Sequence, residues 1–311
     1  LPPNYQSAVP DGYFIVRSGT YSNLLFLRGS IANGLAPAVE NIKANLRVYP
    51  LAQADNPPET EFINFSGVSY NTIAPNDFSY FEALNAVVQE EPLDAIGPEE
   101  RGLLAAIGIV KGQPFAPDER MKRLLTEAAT LGNATARAIT YEPRIGGVFI
   151  YPDMDSAWTT AYADKNTTFE TNGAMGLDAR VLFYFNATGV TQAMAATTVG
   201  QGSDYALAYL DAEKKPLDGS KTYRLHLPPD VPVNNFWAVT LYDTQTRSLL
   251  QTDQEFPTIG SQTEGMTQNA DGSYDVYFGP EAPAGMEGNW LQTVPGKSWL
   301  TILRMYGPLE P

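Results

Sequence analysis

The segment Leu241–Glu255 holds the densest set of groups able to do chemistry. Asp243, Asp253 and Glu255 follow closely on an apolar run, with Arg247 between them. Two carboxyl groups about 5–10 Å apart across a cleft can serve as acid and base, or acid and nucleophile, in hydrolysis. The same residues can equally form a hydrogen-bonded corner in which a buried Asp–Arg pair ties two sheets together. Arg224, His226, Trp237 and Tyr242 make a second candidate set, in which flat rings beside polar donors suit a small ligand. His226 is the single histidine, and it alternates with Tyr223, Leu225 and Leu227 on a strand-like run. A serine triad would have to use it as base, yet the chain contains no Gly-x-Ser-x-Gly elbow.

The 311 residues include no cysteine, which excludes disulfides, thiol nucleophiles, iron–sulfur clusters and cysteine zinc sites. One histidine cannot furnish a zinc triad or a two-histidine facial site, so redox and zinc catalysis lack support. For a hard cation the candidates are Asp153 and Asp155, and the Asn269–Asp275 stretch, which looks like half a calcium loop without its later glutamate. Gly296-Lys297-Ser298 resembles the end of a phosphate loop, but the required first glycine is Leu291 and an aromatic strand follows. No cofactor is expected. The net charge of −15 repels nucleic acid, which is held mainly by clustered basic residues. The longest largely apolar run, Leu103–Val110, is far shorter than the roughly 20 residues of a membrane span.

These groups must be positioned by elements of two textures. In residues 1–70, Tyr13–Arg17 and Leu46–Tyr49 read as short strands, with a short helix within Asn23–Lys43. From residue 76 to 200 the period becomes helical. Phe78, Phe81, Leu84 and Val88 make one stripe that Pro92 ends. Pro98 and Pro117 open the next helices, each followed by acidic residues that favour the positive end of the dipole. A fourth helix follows Asp178 and runs on to Met194, and Gly146–Asp164 is a loop. After Gly200, the runs Tyr205–Tyr209, Tyr223–Leu227, Phe236–Tyr242, Tyr274–Phe278 and Trp299–Tyr306 predict antiparallel strands. Asp218-Gly219 and Asp271-Gly272 predict hairpin turns. The fold class is α+β: a helical region, then a jelly-roll-like antiparallel β-sandwich over residues 201–311.

The stretches Leu217–Pro229, Asn235–Asp243, Asn269–Pro283 and Leu303–Pro311, with Tyr49–Pro58, Arg101–Gly108 and Gly132–Arg137, resemble a bacterial family. Its members pair a domain of unknown function, DUF 1254, with a second, DUF 1214. The resemblance implies a partial DUF 1254-like module at residues 1–200, a DUF 1214-like sandwich at 201–311, an extracytoplasmic location, periplasmic or secreted, and a chain cut short at both ends. It supplies no reaction and no catalytic residues.

The expected function is therefore binding of a small molecule or carbohydrate in a pocket between helical region and sandwich. A carboxylate-dependent hydrolase and a structural assembly component, a homo-oligomer with a large apolar interface, are the alternatives.

Overall fold

Charged and proline residues set the helix starts. In the computed structural model, which describes residues 1–27, 29–31, 33–71, 73–187, 195 and 197–309, α1 spans Leu35–Asn45 and α2 Ser79–Glu90. Helix α3, Pro98–Ala106, carries proline in its first turn with Glu99 and Glu100 beside it. Helix α4, Glu119–Tyr141, begins where the Asp118 carboxylate accepts the Met121 N–H at 2.7 Å, a side-chain cap on an otherwise orphaned donor. It ends just before Pro143. Helix α5 covers Leu177–Asn186; the expected continuation to Met194 falls outside the described residues.

The chain divides into two compact units, residues 1–71 with 78–124, and residues 72–77 with 125–311. In the first, the end of α2 is a knot of charged contacts. Lys111 donates through Nζ to the carbonyls of Val88, Gln89 and Glu91 at 3.2, 2.6 and 2.6 Å, satisfying acceptors that a helix C-terminus leaves open. The Glu91 carboxylate accepts the N–H groups of Tyr21 and Ser22 at 2.6 and 3.0 Å. The strands expected at Tyr13–Arg17 and Leu46–Tyr49 do not form: among the described residues no strand precedes Glu170. Aromatic and β-branched residues make a strand only where a neighbour supplies the ladder, and here Phe14 and Val16 stand exposed.

The first strands of the second unit are a two-residue pair, β1 Glu170–Thr171 and β2 Ala174–Met175. The sandwich follows. Strands β3 Ser203–Ala208, β5 Val233–Asp243, β6 Thr258–Gly260 and β9 Trp299–Pro308 form a four-stranded sheet in the order β3-β9-β5-β6. Strands β4 Tyr223–Leu227, β7 Tyr274–Gly279 and β8 Trp290–Gln292 form the second, in the order β4-β7-β8. All pairings are antiparallel except β7 with β8, which run parallel. The smaller sheet is thus mixed, a departure from the antiparallel expectation. The two Asp-Gly turns do not join hairpins. Each leads into a strand, β4 and β7, from irregular chain.

Alternation along the strands explains why the larger sheet is apolar on both faces. Trp237, Val239 and Leu241 of β5 and Trp299 and Leu303 of β9 point between the sheets, where they meet Leu227, Val276, Phe278 and Leu291. Leu300 and Ile302 point the other way and pack with Leu207, Tyr209, Tyr242 and Tyr141. Helix α4 therefore ends on the outer face of the sandwich. Between α5 and the 162–169 stretch, Tyr162, Phe169, Phe183 and Ala195 form a small separate core.

Candidate functional site

Residues four apart on a helix share a face, so Arg137, Ala138 and Tyr141 form one side of the last turns of α4. The chain beyond Pro143 returns as the predicted Gly146–Asp164 loop, and its path is fixed at both ends. Gly147 sits at φ 74°, and a Cβ there would come within 2.6 Å of the Asp164 backbone nitrogen, so only glycine fits. Thr159 exchanges two backbone hydrogen bonds of 2.8 Å with Leu207, capping the free edge of β3.

Between α4, this loop and the Tyr209–Pro216 segment lies a cavity of about 650 Å³. Its walls are largely apolar and aromatic: Tyr141, Phe149, Tyr151, Met154, Tyr209 and Leu210. That volume lies within the roughly 300–1,000 Å³ of small-molecule sites. Four charged residues border it, Arg137, Glu142, Asp155 and Lys214. Lys214 and Asp155 pair at 3.1 Å, and Glu142 is exposed. The Ser156 hydroxyl accepts the Trp158 N–H and the Thr159 hydroxyl donates to the Leu207 carbonyl.

A turn on the sandwich holds the helix end. The Tyr141 hydroxyl donates to the Thr244 carbonyl and Arg137 Nη1 donates to the Gln245 side-chain oxygen. Both acceptors sit in the turn that Asp243 builds. The Asp243 side chain is 6% exposed and accepts Lys297 Nζ at 2.7 Å and the N–H groups of Gln245 and Thr246 at 2.7 and 3.2 Å. Burial pushes its pKa up, but the Lys297 and backbone donors outweigh burial and hold it below the ordinary aspartate range. Burial drives the Tyr141 hydroxyl up to about 12, against the pull of nearby Arg137 and Arg247, and moves Tyr209 upward as well. Both hydroxyls stay protonated near neutral pH. Tyr209 donates to Asn186 at 2.6 Å, and its ring lies 5.0 Å from that of Tyr141.

The residues singled out from sequence are scattered. The Asp243 corner exists, but its cation is Lys297; Arg247 lays its guanidinium over the Phe185 ring, 4.1 Å from the centroid. Asp253 is exposed and accepts Gln292 Nε2 at 3.0 Å, and Glu255 is exposed. None of the three carboxylates lines the cavity. Trp237 is 3% exposed in the core, and Tyr242 accepts Arg304 at 2.6 Å. Arg224 and His226 lie on the outer face of β4, where His226 Nδ1 meets Asp275 at 2.9 Å. Arg224 also borders a second hollow of about 590 Å³, which shares Asp155–Ala157 and Leu210 with the first. Asp153 and Asp155 gain no third ligand: among the described residues no group of three or more His, Cys, Asp or Glu could hold a metal. Asp271 instead accepts the Ser273 backbone and hydroxyl at 3.0 and 2.6 Å. Sequence reading located the loop and Asp155 but not Arg137, Tyr141 or Tyr209. Their only signal was the i, i+4 spacing of Arg137 and Tyr141 directly before Pro143.

An α+β protein with a two-sheet sandwich and a cavity on its outer face is the class so defined. Residues 202–310 match the family described as "Protein of unknown function (DUF1214)". Among solved structures, the chain is similar to the VPA0106 protein from Vibrio parahaemolyticus, at 18% identity and a TM-score of 0.46. That match covers 99% of this chain and 70% of the other. An uncharacterized protein from Burkholderia cenocepacia is similar at 12% identity and a TM-score of 0.29, covering 73% and 46%. No curated protein matches. Among the described residues no helix is long and apolar enough to cross a membrane.

Proposed function

We propose that this protein binds a small, largely apolar molecule in the cavity between α4, the 147–164 loop and the sandwich. The observation that carries the reading is the cavity itself: a volume suited to one small ligand, walled by four aromatic rings, Met154 and Leu210. Bound there, a ligand would remove aromatic and aliphatic surface from water, at about 25 cal/mol per Å² of apolar area. A carbohydrate fits these walls less well, because its many hydroxyls need polar partners, which largely apolar and aromatic walls supply sparsely. The binding role suits the chemistry present, since the neutral tyrosines are poor bases and Asp243 is committed to its turn.

The test is methyl NMR of protein labelled at methionine, titrated with a library of small aromatic and aliphatic fragments. Binders should shift the Met154 signal, assigned by Met154→Leu, and Tyr151→Ala should weaken them. A library that leaves that signal unmoved would overturn the reading.

The proposal also keeps residues 1–200 as a DUF 1254-like module in an extracytoplasmic protein, on the resemblance described above. Fractionation of bacteria expressing the native gene tests the compartment; a wholly cytoplasmic protein would contradict it.

A second reading, an assembly component, draws on the first unit, where Tyr13–Val16 and Leu24–Leu27 expose consecutive large apolar side chains. Contiguous exposed apolar surface marks interaction sites. Light scattering that reports only monomer would remove this reading.

A further inference from the structure

Among the described residues, Arg137 is the one charged group bordering the cavity that is neither paired with an opposite charge nor exposed to water. Its Nε is buried and, among the described residues, has no hydrogen-bond acceptor. Its Nη1 donates to a neutral amide oxygen, that of Gln245. No carboxylate stands within ion-pair distance of it among the described residues. The neighbouring acids are otherwise engaged: Asp155 with Lys214, Asp243 with Lys297, and Glu142 with solvent. Leaving a buried donor of a charged group unsatisfied is unfavourable, and a guanidinium presents a planar fork that matches a carboxylate.

We propose that the ligand is a monocarboxylic acid with an apolar or aromatic body, its carboxylate seated on Arg137 and its body against Tyr141, Tyr151 and Met154. This rests on the cavity reading and adds the chemical class. An acid of this kind gives Arg137 an opposite charge, which among the described residues it lacks within ion-pair distance. The i, i+4 placement of Arg137 and Tyr141 sets charge and ring on one helical face, so head and body are recognised by a single element. The Gln245 amide, held by the Asp243 turn, fixes the guanidinium before any ligand arrives.

The experiment uses matched pairs: phenylbutyrate, naphthylacetate and decanoate, each against its primary amide, titrated into the full chain by calorimetry and followed at the Met154 methyl signal. The acids should bind roughly tenfold or more tightly than the amides, the difference expected of a charge-assisted hydrogen bond. Arg137→Gln should abolish that preference by weakening the acids alone, with a thermal melt confirming the fold. If Arg137→Gln fails to fold, Arg137→Lys, which keeps charge but loses the fork, should still narrow the preference. Acids and amides that bind equally would overturn the carboxylate while leaving the cavity reading intact. Probes that all leave Met154 unmoved would overturn both.

Discussion

Replacing Asp243 separates two jobs that one side chain performs. Asp243→Ala removes three hydrogen bonds, from Lys297 and from the backbone of Gln245 and Thr246. Each of the two turn bonds is worth about 1 kcal/mol, and the Lys297 contact about 1 more, discounted because Lys297 is 46% exposed. The sum is about 3 kcal/mol. Asp243→Asn keeps an oxygen for the two backbone donors and loses the ion pair, so it should cost about 1 kcal/mol. For a unit of this size, about 2–4 °C of Tm accompanies each kcal/mol, giving roughly 6–12 °C for alanine and 2–4 °C for asparagine. The pH dependence has a definite sign. The folded pKa lies below the ordinary 3.8, so the ionised state's contribution is fully present above that value. It is lost as pH falls through the lower folded value, and the gap between wild type and Asp243→Asn should close there. Urea unfolding followed by tryptophan fluorescence at about pH 7 and in steps below about pH 4 measures both. Because the turn carries the acceptors for Arg137 and Tyr141, Asp243→Ala should also weaken ligands of the cavity. Equal destabilisation by alanine and asparagine, with a gap independent of pH, would refute this account of the corner.

Three further outcomes follow from buried polar groups. Asn289, 2% exposed, accepts the Thr267 N–H and donates to the carbonyls of Thr267 and Asp275; Asn289→Ala should cost about 3 kcal/mol, read as a lower urea midpoint with unchanged slope. Lys111→Met should release three carbonyls at the end of α2 and speed amide hydrogen exchange there several-fold, while the sandwich amides stay protected. Tyr141 and Tyr209 have raised pKa values, so the unfolded state ionises first, and the second unit should lose stability as pH climbs from about 10 toward 12. Ultraviolet titration should show these two ionising after the exposed tyrosines, and phenylalanine substitution of both should flatten the alkaline loss.

Most of the sandwich was legible because its strands obey one local rule. The run Tyr223–Leu227 is β4 itself, and Phe236–Tyr242, Tyr274–Phe278 and Trp299–Tyr306 lie inside β5, β7 and β9. The three-residue strands β6 and β8 were not, since so short a run carries no period and is fixed by its neighbours. Proline and acidic residues marked the helix starts to within a few positions. The N-terminal runs had the composition of strands without a ladder to join, which composition cannot report. The cavity was hidden for a related reason. Arg137, Met154 and Tyr209 are far apart in sequence and meet through two tertiary events, the Thr159 bonds to the edge of β3 and the bonds of Arg137 and Tyr141 to the 244–245 turn. The Asp243 corner was foreseen as a place, but its cation came from residue 297, on the chain leading into β9.

The position of β9 bears on how the protein is made. This strand lies between β3 and β5, although it is last of the three in sequence. While the ribosome is still adding residues 299–308, β3 and β5 have no common neighbour, and Leu207, Val239 and Leu241 lack the ladder partners Ile302, Leu303 and Thr301. Non-local pairings of this kind form late and leave earlier apolar segments open in the interval. Chain synthesis should therefore yield a nascent species whose β3 edge stays protease-sensitive until β9 emerges and joins β3 to β5.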